Sequence, residues 1–120
     1  MQDSNLNEFN IRICYNGLPG DADLAAAIGQ ANTNDATFIK FNFIPTITDF
    51  KFNFIMASEE YDGSTECSFA DGFAFLLREV GTTTYTNLAV LPDGTPVSVT
   101  NINGITCPPP VVPNPAYFDG

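Results

Sequence analysis

The chain predicts an all-β fold, an antiparallel β-sandwich of jelly-roll type with one short helix near the N-terminus. Three observations carry that reading. Short runs of β-branched and aromatic residues alternate with period two. The turn dipeptides Asn16-Gly17, Asp93-Gly94 and Asn103-Gly104 punctuate them. Only the stretch from Gly20 to Gly29 has helical spacing. A length of 120 residues suits one domain with its own core, and a hydrophobic content of 44% with 11 Phe favours packing over disorder despite a formal net charge of −10.

Phe9 to Tyr15 is the first predicted strand, closed by Asn16-Gly17; Cys14 alternates there with Ile11 and Ile13 and reads as a small buried hydrophobe. In the helix, Asp21 or Asp23 caps the start, Leu24, Ala25 and Ile28 form the apolar face, and Gly29 closes the end. Residues 37–44 and 49–56 read as a β-hairpin about Pro45-Thr46-Ile47-Thr48. Its buried stripes are Ile39, Phe41 and Phe43 on one strand and Phe50, Phe52, Phe54 and Met56 on the other. Further strands are expected at about 69–77, 84–91 and 96–102. After Cys107, the run Pro108-Pro109-Pro110-Val111-Val112-Pro113-Asn114-Pro115 predicts an extended strap whose Tyr117 and Phe118 dock on the body. The domain plan is therefore an N-terminal strand or arm at 1–16, a β-sandwich at 17–107 and a Pro-rich strap at 108–120.

Composition excludes several functions. With only four Lys and Arg and a pI near 4.1, the chain is a poor match for nucleic acid. No apolar run reaches the length of a membrane span, and Met1-Gln2-Asp3-Ser4-Asn5 lacks the features of a signal peptide, so a secreted form would have lost its targeting segment. There is no His, which removes Ser-His-Asp and Cys-His nucleophiles and His-bearing zinc sites. Three cysteines fit an oxidising compartment and leave at least one thiol unpaired.

Chemistry concentrates between Phe54 and Leu77. Glu59, Glu60, Asp62, Glu66 and Asp71 fall within thirteen residues that contain no Lys or Arg. Such a run is either a solvated acidic loop or a site for an oxygen-seeking cation, of which Ca²⁺ is the first candidate; the spacing is not that of an EF-hand. The candidate metal ligands are Glu60, Asp62, Glu66 and Asp71. Glu59 is expected to turn inward, because adjacent strand residues face opposite ways. Glu60 and Asp62, two apart on a strand, would stand ~7 Å apart, within reach of an inverting glycosidase pair. Asp62-Gly63 breaks such a strand, so catalysis is the third reading and the chain is read as not an enzyme.

Phe-Asn-Phe-Ile-Met-Ala-Ser-Glu-Glu-Tyr at 52–61, Ser-Phe-Ala-Asp-Gly-Phe-Ala-Phe-Leu-Leu at 68–77, Asn-Leu-Ala-Val-Leu-Pro-Asp-Gly-Thr-Pro-Val-Ser-Val at 87–99, and Gly20-Asp21-Ala22-Asp23-Leu24 resemble the choice-of-anchor L domain family. The likeness runs from about residue 17 to 118; the residues before Gly17 depart from the family's opening, and Ala70 stands where its members usually carry Asn. The resemblance implies a module of a large secreted or surface-anchored bacterial protein, working in adhesion or structural assembly. It also implies a disulfide, since Cys67 sits where the family often has a cysteine and Cys107 is its preferred partner. Members continue into further strands, so Gly120 ends a trimmed module or one completed by a neighbour. On the second alternative, Phe9 to Tyr15 is exchanged between chains to build a homopolymer. A shorter likeness, Ala70-Asp71-Gly72-Phe73-Ala74-Phe75, is similar to a strand start of L-type lectins. It implies a Ca²⁺-dependent carbohydrate-binding module, the runner-up, in which Asp71 binds sugar hydroxyls and Tyr61 supplies a stacking face.

Overall fold

The computed structural model describes residues 18–49, 51 and 53–119 with their side chains, and residues 7–14 as backbone. The side chain of Cys14, the Asn16-Gly17 turn, and Phe50 and Phe52 lie outside the described residues. Strand β1 (Asn7–Cys14) leads to helix α1 (Ala22–Ile28), followed by β2 (Ala36–Phe43), β3 (Ala74–Glu79), β4 (Thr86–Asn87) and a 3-10 turn at Pro115–Tyr117. The strands form one four-stranded antiparallel sheet in the order β2-β1-β3-β4. The prediction of antiparallel β with one short helix holds at that level; among the described residues there is one sheet, not the two of a sandwich.

Helix α1 forms where local chemistry dictates. The Asp21 side chain accepts the Leu24 N–H at 2.8 Å, one of the donors an N-terminus leaves over. Gly29 ends the helix at φ 71°, a left-handed conformation for which glycine has no steric penalty. Between these caps Leu24, Ala25 and Ile28 are buried, the apolar face the spacing predicts.

Strand β3 is covered on both faces. Ala74 and Leu76 pack with Leu24 and Ile28 of the helix. Phe75, with Phe73 and Leu77 beside it, packs with Ala89, Leu91, Val97 and Ile102. Phe54, Phe73 and Phe75 form an aromatic triad with centroids 4.6–5.1 Å apart, two of its three pairs edge-on. Asn87 ties the layers together: its Oδ1 accepts the N–H groups of Phe75 and Ala89, and its Nδ2 donates to Ala27 O.

The predicted hairpin is corrected. β2 exists at the predicted place, but its partner is β1, in a register that sets Ile11 opposite Ile39. The described residues of 49–56 form no strand. Among the described residues β2 is consequently an edge strand, and of its side chains Ala36 and Phe43 pack on the cores. Of the expected stripe Ile39 and Phe41 are 58% and 45% exposed and Phe43 alone is half-buried, and Phe38 is 54% exposed. Downstream, the strand expected at 69–77 begins at Ala74, the next shrinks to Thr86–Asn87, and the last is reduced to the bridges Gly72–Ser98 and Val90–Pro96. In the strap, Phe118 packs on the core and on the Tyr61 ring, whereas Tyr117 stays exposed.

Glycine also sets the approach of the loop that follows α1. A Cβ at Gly20 would stand 1.7 Å from Thr33 O, a backbone atom that cannot turn aside. Gly20→Ala should therefore destabilise the fold by about 1–3 kcal/mol, read as a lower urea midpoint at unchanged slope; an unchanged midpoint would show that the two segments do not touch.

Candidate functional site

The segment from Ser58 to Asp71 is not a strand but a self-bonded loop, and each of its carboxylates has a separate task. Asp62 is exposed and organises the turn: its Oδ1 accepts from Ser64 N and Oγ at 2.8 Å and from Thr65 N at 3.0 Å. The Ser64 hydroxyl and the Ser64 and Thr65 backbone N–H groups hold the Asp62 carboxyl below the usual aspartate range. Glu66 is 3% exposed; its Oε1 accepts the Gly63 N–H at 2.7 Å, and its Oε2 has no hydrogen-bond partner. Asp71 accepts the Ser58 hydroxyl at 2.6 Å, and that hydroxyl oxygen accepts the Glu60 N–H at 3.1 Å. Two further links fasten the loop to the body. Cys67 and Cys107 form a disulfide, the pairing the family likeness implies, and Tyr61 donates its hydroxyl to Ile102 O at 2.9 Å. By chain entropy alone, closing a loop of sequence separation 40 contributes about 4 kcal/mol.

Because Glu59 and Glu60 sit in a turn rather than a strand, the expectation that they face opposite ways fails. Glu59 is exposed, Glu60 is half-buried, and both line one cleft of about 570 Å³. Asp71, Ser68, Phe69 and Ala70 share that wall; Gln30, Asn32, Thr33, Asn34 and Asp35 form the other. The remaining candidates lie elsewhere. Asp62 and Glu66 do not line the cleft, and Tyr61 lines a separate apolar groove with Phe54, Met56, Leu91, Val97 and Phe118. Among the described residues no three Asp, Glu, His or Cys side chains come together in a group able to hold a metal ion. The sequence reading missed Asp35 and Phe69. Asp35 stands 24 positions before Glu59, outside any charge run, and Phe69, 57% exposed, read as the start of a strand.

Tyr61 records how these groups sit together. Burial raises its hydroxyl pKa above the ordinary value near 10, and the negative charges of Glu66 and Asp71 raise it further.

The chain is thus a β-rich module with a disulfide-pinned acidic loop, and among its described residues no helix is long and apolar enough to cross a membrane. The chain belongs to the choice-of-anchor L domain family, whose model matches residues 2–120. The match takes in β1, so the opening residues belong to the family pattern from which they were expected to depart. Membership points to a surface-associated, extracellular setting. No curated protein and no solved structure matches the chain.

The sign of the Tyr61 shift makes a prediction. A folded-state pKa above the unfolded value stabilises the fold fully below pH ~10, and that contribution is lost as pH rises through the folded pKa. Tyr61→Phe should flatten the stability loss above pH ~10 and remove the highest-pH step from the tyrosinate absorbance titration; an unaltered titration would mean that another tyrosine is the perturbed one.

Proposed function

We propose that this chain is a noncatalytic extracellular module of the bacterial cell surface, serving adhesion or structural assembly by packing its edge strand against a second copy. One observation carries the reading: β2 is the outermost strand and holds Phe38, Ile39 and Phe41 about half exposed, where edge strands ordinarily carry charge, Pro or a cover. β2 has no Asp or Glu and one Lys in a chain of net charge −10, so it is the stretch where like-charge repulsion between copies is weakest. The donated segment is not taken to be Phe9 to Tyr15. β1 lies between β2 and β3 of its own sheet, and withdrawing it would separate them. The finer architecture expected from the sequence, a sandwich of jelly-roll type, fits this reading if further strands join the sheet.

Association should appear in sedimentation velocity as concentration rises, and it should strengthen when added salt screens the net charge. Each half-exposed side chain covered contributes about 1 kcal/mol. Ile39→Lys combined with Phe41→Ser should therefore raise the dimer dissociation constant more than about tenfold. A wild-type chain that stays monomeric at high concentration would defeat the reading.

Ca²⁺ stabilisation belongs to the same proposal, supported by the buried Glu66 Oε2, an oxygen whose missing partner an ion or water would supply. Asp62 Oδ1 already accepts several donors, which leaves Glu66 as the carboxylate to test. Millimolar Ca²⁺ should raise the melting temperature of chelated protein and Mg²⁺ much less, a native-only ion at ~100 times its dissociation constant adding ~2.7 kcal/mol. Identical melting curves would remove Ca²⁺ from the proposal. The second reading, a Ca²⁺-dependent carbohydrate-binding module, is favoured by Asp71 lying in a polar cleft. A glycan screen with and without EDTA separates it from assembly.

A further inference from the structure

The apolar groove, of about 640 Å³, has a floor and a rim of different character. Leu91, Val97 and Ile102 are buried beneath it, whereas Val90 and Ile55 stand on its rim, 40% and 96% exposed. Residues 53–57 lay that rim, and they alternate as a strand does without belonging to one. Phe54 lies against the rings of Phe73 and Phe75, Met56 packs on the same core, and Ile55 between them turns outward. Among the described residues the backbones of Ile55, Met56 and Ala57 make no hydrogen bond. An apolar depression flanked by backbone donors and acceptors outside any ladder suits an added strand, whose main chain bonds the rim and whose alternate side chains fill the depression.

The same chain carries a strand of that kind. Among the described residues β2 is paired along one edge only, and Ile39 and Phe41, two apart on one face, are about half exposed. Charge favours the match. Lys40 is the only charged residue of β2, and Asp119 is the only charged residue among the described residues that line the groove. In a chain of net charge −10, these two surfaces therefore meet without like-charge repulsion. No residue of β2 lines the groove, so strand and groove are separate surfaces of one copy. We propose that the groove and its 53–57 rim receive β2 of a second copy, in a head-to-tail contact. Such a contact leaves the second copy's groove open to a third, so it propagates instead of closing as a two-fold dimer. The inference rests on the reading of the chain as a self-associating module and names the surface to which its edge strand binds.

Sedimentation velocity on mixed variants tests it. A donor variant, Ile39→Lys with Phe41→Ser, keeps the groove and loses the strand surface. An acceptor variant, Ile55→Lys with Val90→Ser, keeps β2 and loses the rim. Both gain one positive charge, so no new attraction between them is introduced. The wild type should grow beyond the dimer as concentration rises, and each variant alone should associate about tenfold more weakly or less. An equimolar mixture should form a one-to-one dimer that grows no further, because only one intact pair of surfaces remains. Ile55→Lys alone alters a side chain almost wholly outside its own fold, and it should weaken growth several-fold at an unchanged melting temperature. An acceptor variant that associates as the wild type does, a wild type that stops at the dimer, or a mixture that restores nothing would overturn the inference and leave self-association through β2 standing. A monomeric wild type would overturn both. Capture of the wild type by phosphatidylcholine vesicles, lost in the acceptor variant while self-association persists, would assign the groove to lipid and overturn the inference as well.

Discussion

The burial of β3 on both faces is the constraint from which the rest of the molecule follows. Five consecutive apolar residues, Phe73 to Leu77, alternate between two cores: Ala74 and Leu76 go to the helix, and Phe73, Phe75 and Leu77 go to the aromatic side. With period two, neither face can be surrendered without emptying a core, so the register of β3 is fixed more firmly than that of a one-sided strand. Helix α1 is then held by Leu24 and Ile28, and the close approach of Ile28 to Gly72 sets the distance between the two walls of the cleft. The site is thus a consequence of how the helix seats on one strand.

What was legible in the sequence was what local chemistry decides. The helix ends are written in Asp21 and Gly29 because a cap needs only its own neighbours. The alternation in 37–44 did mark a strand, but alternation does not name a partner, and β1 reached β2 across more than twenty residues to take the place assigned to 49–56. Burial was misread for the same reason: a strand at the edge, touching the cores only at Ala36 and Phe43, keeps its apolar pattern without being covered. The strands expected at 84–91 and 96–102 dissolved for another cause. Ala89, Leu91, Val97, Val99 and Ile102 are buried there and Val90 is exposed, and amide side chains bond part of the backbone, Asn101 Nδ2 on Pro96 O and Asn103 Nδ2 on Val99 O. In these stretches the apolar residues reach the core without a continuous ladder.

The site divides in the same way. The acidic run was legible as an unneutralised cluster, and the Cys67–Cys107 pairing followed from the family likeness. Which carboxylates share a surface was not legible, because a strand was assumed where the chain makes a turn. That assumption sent Glu59 away from Glu60, whereas the turn brings both glutamates to the cleft; Tyr61 lines the apolar groove. Asp35 and Phe69 belong to the site through tertiary placement alone, and no spacing rule reaches them.

Five carboxylates in so short a stretch raise the question of how the loop tolerates its own charge. The hydrogen bonds answer it unevenly. Asp62 is served by Ser64 and Thr65, Glu66 by the Gly63 N–H through one oxygen, and Asp71 by the Ser58 hydroxyl. These bonds pair three of the carboxylates with donors of the loop itself. Glu59 and Glu60 receive no such side-chain bond among the described residues, and both line the cleft. The cluster therefore contains two populations, carboxylates that shape the loop and carboxylates that the loop presents.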